Sequence, residues 1–216
     1  MDDRSLHLSK KFDVFIFDWD GTLNSLRMIT WVNEAVKRAL GLWNRDSAIK
    51  DFKSMNYNLR HKIEVKEEYK NGIMSILADL LMVFSKPVLH KSTMKLLKEL
   101  KSSGKKIAIL SNERGYRLMM EISYLGIADY FDVIVSAKHI RALKPNPTGL
   151  KAILHSLKAK PGRAIFIGDM VDDILAAKLA GVASCAVADG FDSHHKLKSM
   201  KPDYLFNGIE GLEEAL

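Results

Sequence analysis

Short apolar runs alternate with helical patterns along most of the chain. The first run, residues 12–17, is apolar and aromatic and predicts a buried strand. Further strands are expected at 106–110, 132–136, 164–167 and 183–187, with a short last one at 204–206. Helical periodicity is typical of 92–101, 117–125, 148–157 and 173–180. Strands separated by single helices predict an α/β fold, a doubly wound parallel sheet with helices on both faces.

The first strand is followed by about 65 residues that show only helical patterns. Apolar stripes at helical spacing run through residues 28–40 and 73–84 of this stretch. We therefore expect a small helical cap domain, residues 24–88, inserted after the first strand. The α/β core would then comprise residues 1–23 and 89–216, with two hinge passages where the chain leaves and re-enters it.

Polar side chains follow four of the predicted strands. In an open parallel sheet, ligands bind beyond the carboxyl ends of the strands, so these side chains are candidate site residues. In chain order they are Asp18, Asp20, Ser111, Asn112, Lys144, Asp169, Asp172 and Asp173. Of the last two, we expect Asp173 to face the site and Asp172 to be exposed or to serve as a helix N-terminal charge.

Several carboxylates gathered at one edge cannot all ionise without a counter-charge. Two like charges about 4 Å apart repel by about 4 kcal/mol at an effective dielectric constant of 20. A hard divalent cation removes this repulsion, and oxygen ligands without His or Cys select Mg²⁺. Lys144, Ser111 and Asn112 suit the oxygens of a phosphate. Together these groups indicate phosphoryl transfer.

The same residues form four motifs that resemble those of the haloacid dehalogenase superfamily of phosphohydrolases. The motifs stand in the family's order over about 160 residues. They are Asp18-Trp19-Asp20-Gly21-Thr22, Ser111-Asn112, Lys144-Pro145, and Gly168-Asp169 with Asp173. The helical insert between the first and second motifs is similar to the cap of the phosphoglycolate-phosphatase-like branch.

The resemblance implies a role for each motif residue. Asp18 would attack phosphorus and form an aspartyl-phosphate, and Asp20 would protonate the leaving oxygen and then activate water. The implied phosphoryl-binding residues are Thr22, Ser111, Asn112 and Lys144, of which Lys144 also supports catalysis. The implied Mg²⁺ ligands are the carboxylates of Asp18 and Asp169 and the main-chain oxygen of Asp20, and Asp173 would support the metal directly or through water.

The resemblance thus predicts a Mg²⁺-dependent phosphatase that acts on a small phosphorylated metabolite. A phosphomutase of the same family remains an alternative, because it shares the first-motif pair of aspartates. A dehalogenase is disfavoured, because Asp20 occupies an acid/base position that hydrolytic dehalogenases lack. A binding or regulatory protein on the same fold is the alternative from a different functional class.

Composition and charge limit which binding partners and which cellular location we expect for the protein. The formal net charge is +7, but no run of five basic residues occurs, so nucleic-acid binding is not expected. The longest apolar stretch, residues 73–84, is too short for a membrane helix. The first four residues are unlike a signal peptide, and Cys185 is the only cysteine. We expect a cytoplasmic monomer or homodimer without membrane contact.

Overall fold

A computed structural model of the chain describes residues 7–25, 86–113, 115–140 and 142–216. Within these ranges six strands form one sheet: β1 (Val14–Phe17), β2 (Lys106–Leu110), β3 (Val133–Val135), β4 (Ala164–Gly168), β5 (Ala183–Val187) and β6 (Tyr204–Phe206). Their spatial order is β3-β2-β1-β4-β5-β6, and every neighbouring pair is parallel. This arrangement confirms the predicted doubly wound α/β fold. The winding reverses between β1 and β4, which is where such sheets bind ligands.

In the described ranges, helices lie at the four predicted places between the strands, and three further short α-helices occur. They are α1 (Leu8–Lys11), α2 (Thr93–Ser102), α3 (Gly115–Tyr124), α4 (Thr148–Ser156), α5 (Val171–Ala180), α6 (His194–Ser199) and α7 (Ile209–Glu214). The helix predicted from residue 173 begins two residues earlier, at Val171. The three helices that sequence periodicity did not predict, α1, α6 and α7, have only four to six residues, too few to show a repeating pattern.

The hydrophobic core lies on both faces of the sheet. Successive residues of β1 alternate between the two faces, and all four are buried. Phe15 and Phe17 pack in the larger cluster with apolar residues of α2, α3 and α7. Val14 and Ile16 pack on the opposite face with those of α4 and α5. A strand buried on both sides explains why its sequence is a continuous apolar run rather than an alternating one.

The predicted cap lies almost wholly outside the described residues, and the division of the chain into two domains stays a prediction. The ends of the insert are described, and they run side by side. Ser25 N donates to the Val88 carbonyl at 2.7 Å, and His90 N donates to the Leu23 carbonyl at 3.2 Å. Across the described ranges, no helix has the length and apolarity that crossing a membrane requires.

Candidate active site

The carboxyl edge of the sheet brings together residues from all four motifs. Asp18 follows β1, Ser111 follows β2, Asp169 follows β4, and Lys144 lies in the connection from β3 to α4. Asp18 N still donates to the Ile167 carbonyl at 2.8 Å, so the chain remains in register with β4 at this point. The four side chains are buried. Their convergence follows from β1 lying between β2 and β4.

Three carboxylates form a compact cluster at this edge. One oxygen each of Asp18, Asp169 and Asp173 lies within 4.8 Å of the other two. Burial raises the pKa of Asp18 to about 7; the Lys144 charge opposes this rise, and the Asp173 charge adds to it. Burial, together with repulsion from Asp18 and Asp173, raises the pKa of Asp169 well above its ordinary value. Burial also raises the pKa of Asp173, against the effect of Lys144. The cluster is therefore destabilised in its ionised form unless further positive charge is present.

Lys144 supplies part of that positive charge. Its Nζ lies 2.5 Å from Asp18 Oδ1 and 2.7 Å from Asp173 Oδ1. Burial lowers the pKa of Lys144, but the attraction of the two carboxylates outweighs burial, and the net shift is upward. The lysine therefore stays protonated. One such charge balances only one of the three carboxylates.

The donor set of the cluster fits Mg²⁺. All three side chains offer carboxylate oxygens, the ligand type that hard divalent cations prefer. A divalent ion would bring the formal charge of the three carboxylates and the lysine to zero. The residues that would hold it are Asp18, Asp169 and Asp173, together with the main-chain oxygen of Asp20 that the family resemblance adds.

Neighbouring groups fix the Asp169 carboxylate in place. Thr22 Oγ1 donates to Asp169 Oδ1 at 3.1 Å, and the main-chain N–H of Phe191 donates to Oδ2 at 2.6 Å. The Thr22 hydroxyl is thus directed to a carboxylate of the cluster, and its predicted contact with substrate stays a prediction. Gly168 leaves the space that Asp173 occupies, because a Cβ at this position would collide with the Asp173 carboxylate.

The second-motif residues make contacts that the sequence did not indicate. Asn112 Oδ1 accepts from Lys144 N at 2.9 Å, and Asn112 Nδ2 donates to the Lys144 carbonyl at 3.4 Å. The amide therefore holds the backbone from which the lysine projects. Ser111 Oγ accepts from Glu113 N at 3.1 Å. Phosphate binding by Ser111 and Asn112 stays a prediction.

The structure separates the two adjacent aspartates of the fourth motif. Both lie in the first turn of α5, but the carboxylate cluster contains Asp173 and does not contain Asp172. This agrees with the expected register. Asp172 lies at the N-terminal end of the helix, as one of the two expectations had it, whereas the other expectation, an exposed side chain, is wrong because Asp172 is buried. The start of α5 packs against the loop at Asp192, whose Oδ2 accepts from Val171 N at 2.9 Å.

Asp20 lies outside the carboxylate cluster, and its carboxylate is paired with Arg117. Sequence reasoning missed Arg117, as well as Asn24, whose Nδ2 donates to Asp20 Oδ1 at 3.2 Å. The only sequence signal for Arg117 is its spacing of four residues from both Glu113 and Glu121. That spacing is common on exposed helices and did not indicate a buried site.

Comparisons with known proteins agree with the motifs. The family model of haloacid dehalogenase-like hydrolases matches residues 15–187. A phosphoglycolate phosphatase from Aquifex aeolicus is 30% identical over 88% of this chain and 90% of its own length. A pyrophosphatase PpaX from Bacillus cereus is 28% identical over 57% of this chain and 57% of its own length, so the chain spans little more than half of that relative.

Solved structures of haloacid dehalogenase-like hydrolases have the same fold as this chain. A crystal structure from Bacteroides fragilis, described as a haloacid dehalogenase-like hydrolase, matches with a TM-score of 0.69 and 23% identity. The match covers 94% of this chain and 100% of the other. At that identity the likeness shows the fold, whereas the family model and the Aquifex relative carry the sequence relationship. The chain belongs to the haloacid dehalogenase-like hydrolase family.

Proposed function

We propose that the protein is a Mg²⁺-dependent phosphatase that hydrolyses a small phosphorylated metabolite through an aspartyl-phosphate intermediate. One observation carries the proposal: a buried carboxylate, Asp18, lies 2.5 Å from the ammonium of Lys144 and within a cluster of metal-type oxygen donors. A nucleophile, a fixed cation and a place for a metal thus occur at one point. Phosphoryl transfer needs these groups, since its catalysis is chiefly positioning and charge stabilisation.

In the first half-reaction, an oxygen of Asp18 attacks phosphorus while the bond from phosphorus to the leaving oxygen breaks. Lys144 and Ser111 bind phosphoryl oxygens, and Asp20 gives its proton to the leaving oxygen. A Mg²⁺ ion held by Asp18, Asp169 and Asp173 would supply positive charge to offset that of the phosphoryl group and of the Asp18 carboxylate. The alcohol product then departs and leaves the phosphate on Asp18.

In the second half-reaction, water attacks the phosphorus of the aspartyl-phosphate. Asp20, now ionised, accepts the proton of that water, and the bond between phosphorus and the Asp18 oxygen breaks. Inorganic phosphate leaves, and both aspartates return to their starting states. The same side chain thus acts as acid and then as base, because each half-reaction leaves it in the state that the next one needs.

A screen of phosphorylated metabolites at fixed Mg²⁺ tests the proposal. The names of the relatives suggest 2-phosphoglycolate and pyrophosphate as the first compounds to include. We expect phosphate release that EDTA abolishes, that added Mg²⁺ restores, and that Asp18→Asn reduces to background. Phosphate release that persists in chelator, or at more than a few per cent in Asp18→Asn, would overturn the mechanism. Transfer of phosphate within a sugar, without release, would identify a phosphomutase instead.

The other expectations about the protein remain predictions. Neither the cytoplasmic location, nor the choice between monomer and homodimer, nor the lack of a nucleic-acid partner is tested by the structure. The basic net charge suits a small anionic substrate, because it raises the local concentration of anions near the protein.

A further inference from the structure

Arg117 is a buried arginine that lies among acidic side chains at the edge of the active site. Its side chain is 2% exposed. Nη2 is ion-paired with Asp20 Oδ2, and Nη1 donates to Asp20 Oδ1 at 3.3 Å. Both oxygens of the Asp20 carboxylate therefore contact the same guanidinium, which is the two-point geometry that arginine provides and lysine cannot.

Two glutamates hold the guanidinium from the other sides. Glu113 Oε2 lies 3.3 Å from Nε, and Glu121 Oε1 accepts from Nη1 at 3.2 Å. Glu121 is itself fixed, because Trp19 Nε1 donates to its Oε2 at 2.6 Å. Trp19 lies between the two aspartates of the first motif. These contacts therefore run from Asp20 through Arg117 and Glu121 of α3 to Trp19. Both ends of this network lie in the first motif.

These contacts exclude the obvious alternative, an arginine that binds the phosphate or another anionic group of the substrate. A substrate anion would have to displace a carboxylate from the guanidinium, and Arg117 is already surrounded by three of them. The Coulomb attraction of those carboxylates outweighs burial and raises the pKa of Arg117 well above its ordinary value. The guanidinium is a fixed part of the protein rather than a free anion receptor.

Asn24 provides a second contact to the same carboxylate. Its Nδ2 donates to Asp20 Oδ1 at 3.2 Å, and its Oδ1 accepts from Val88 N at 3.1 Å. Asp20 is thus held from one side by α3 and from the other by the two chain passages that lead into and out of the insert. The Asp20 carboxylate is therefore held by two separate parts of the chain.

We propose that Arg117 is a positioning residue for the acid/base Asp20, holding that carboxylate through both oxygens and itself held by Glu113 and Glu121. The inference rests on the proposed phosphatase function. Arg117 does not touch substrate and acts only through Asp20. Its loss therefore affects the proton-transfer steps and leaves phosphate binding and the attack of Asp18 intact.

The test compares two substrate classes in Arg117→Met. An alkyl phosphate needs a proton on its leaving oxygen, whereas 4-nitrophenyl phosphate has a good leaving group that needs little protonation. We expect kcat/KM, which reports the steps through departure of the leaving group, to fall at least about ten-fold more on the alkyl than on the aryl phosphate. The inhibition constant of inorganic phosphate should stay within about two-fold of wild type. Arg117→Lys keeps the charge without the two-point contact, so it should recover part of the loss.

A double-mutant cycle with Asp20→Asn separates positioning from a general structural effect. If Arg117 acts only through Asp20, Arg117→Met should cost less than about two-fold further activity in the Asp20→Asn background. Arg163→Met is the matched control, because it removes an arginine paired with Asp13 at 2.8 Å through two nitrogens, at the opposite edge of the sheet. It should change neither substrate class.

Three results would overturn the inference. Equal loss of kcat/KM on both substrates indicates only structural damage, and a raised phosphate inhibition constant indicates a substrate-binding arginine. Full additivity with Asp20→Asn indicates that the two residues act separately. Arg117→Lys supplies the same comparison if Arg117→Met does not fold, as judged by circular dichroism. A wild-type protein inactive on every phosphate ester overturns the proposed function itself, whereas an active wild type with unselective variants overturns only the role of Arg117.

Discussion

The buried carboxylate cluster predicts an unusual pH dependence of the stability of the metal-free protein. Asp18 has a pKa of about 7 in the folded chain, raised first by burial, compared with about 3.8 in the absence of the fold. Between about pH 4 and pH 7, Asp18 is therefore protonated in the folded state and ionised in the unfolded state. Stability must fall as the pH rises through this window, because folding then requires an ionised, buried Asp18 or an uptake of protons.

The size of the effect on the unfolding free energy follows from the raised pKa of Asp18. A rise of about three pKa units corresponds to about 4 kcal/mol of unfolding free energy, fully present below about pH 4 and lost by about pH 7 to 8. The pKa values of Asp169 and Asp173 are also raised by burial, so their contributions have the same sign. Mg²⁺ would reverse the trend, because an ion held by the ionised carboxylates would add its own binding free energy to the folded state.

Urea unfolding in EDTA, followed by circular dichroism at several pH values from about 4 to 8, measures this effect. Asp18→Asn is the matched variant, since the amide cannot titrate. We expect the unfolding free energy of the wild type, relative to that of Asp18→Asn, to fall by a few kcal/mol across the range. Saturating Mg²⁺ should remove most of the fall in the wild type. A difference between the two proteins that does not change with pH would refute a raised pKa at Asp18.

Three further predictions concern single residues. Asp20→Asn should reduce kcat/KM for alkyl phosphates about ten-fold or more beyond that for aryl phosphates in steady-state assays, because only the alkoxide needs the proton; equal losses of kcat/KM would argue against an acid role. Asp173→Asn should raise the Mg²⁺ concentration needed for half-maximal activity, and Asp172→Asn should not, since Asp173 alone of the two lies in the cluster; titrations with the reverse order would disprove this register. Lys144→Met should lower the unfolding free energy in EDTA above about pH 8 by about 3–5 kcal/mol, because it leaves two buried carboxylates without their cation; urea curves that coincide with those of the wild type would contradict the buried pairing.

The fold class and the place of the site could be predicted from the sequence alone. Residues 14–17 and 164–167 are continuous apolar runs, and such runs predict strands buried on both faces without knowledge of any partner. The aspartates that follow these runs had to meet once the sheet was parallel, because carboxyl ends then lie at one edge. Local sequence patterns were therefore enough to predict that Asp18 and Asp169 lie at the site.

The folded structure was needed to show what these side chains contact. The sequence did not indicate that the amide of Asn112 pairs with the backbone of Lys144, 32 residues further along the chain. Asp172 lies in the first turn of α5, as one of the two expectations had it, but it is buried rather than exposed. Neither outcome is encoded in a local pattern, because both depend on which loop covers which strand end.

The pairing of Asp20 with Arg117 shows the same limit most clearly. The two residues are 97 positions apart, and Leu118 and Ile122 of α3 lie in the same buried cluster as Phe15 and Phe17 of β1. Helical periodicity indicates that α3 has an apolar face, but it does not tell which neighbouring element that face covers. Strand ends are positioned by a regular ladder of hydrogen bonds, whereas helix contacts depend on the shapes of many side chains at once. The positions of the strand ends could therefore be predicted from the sequence, whereas the contacts of the helices required the folded structure.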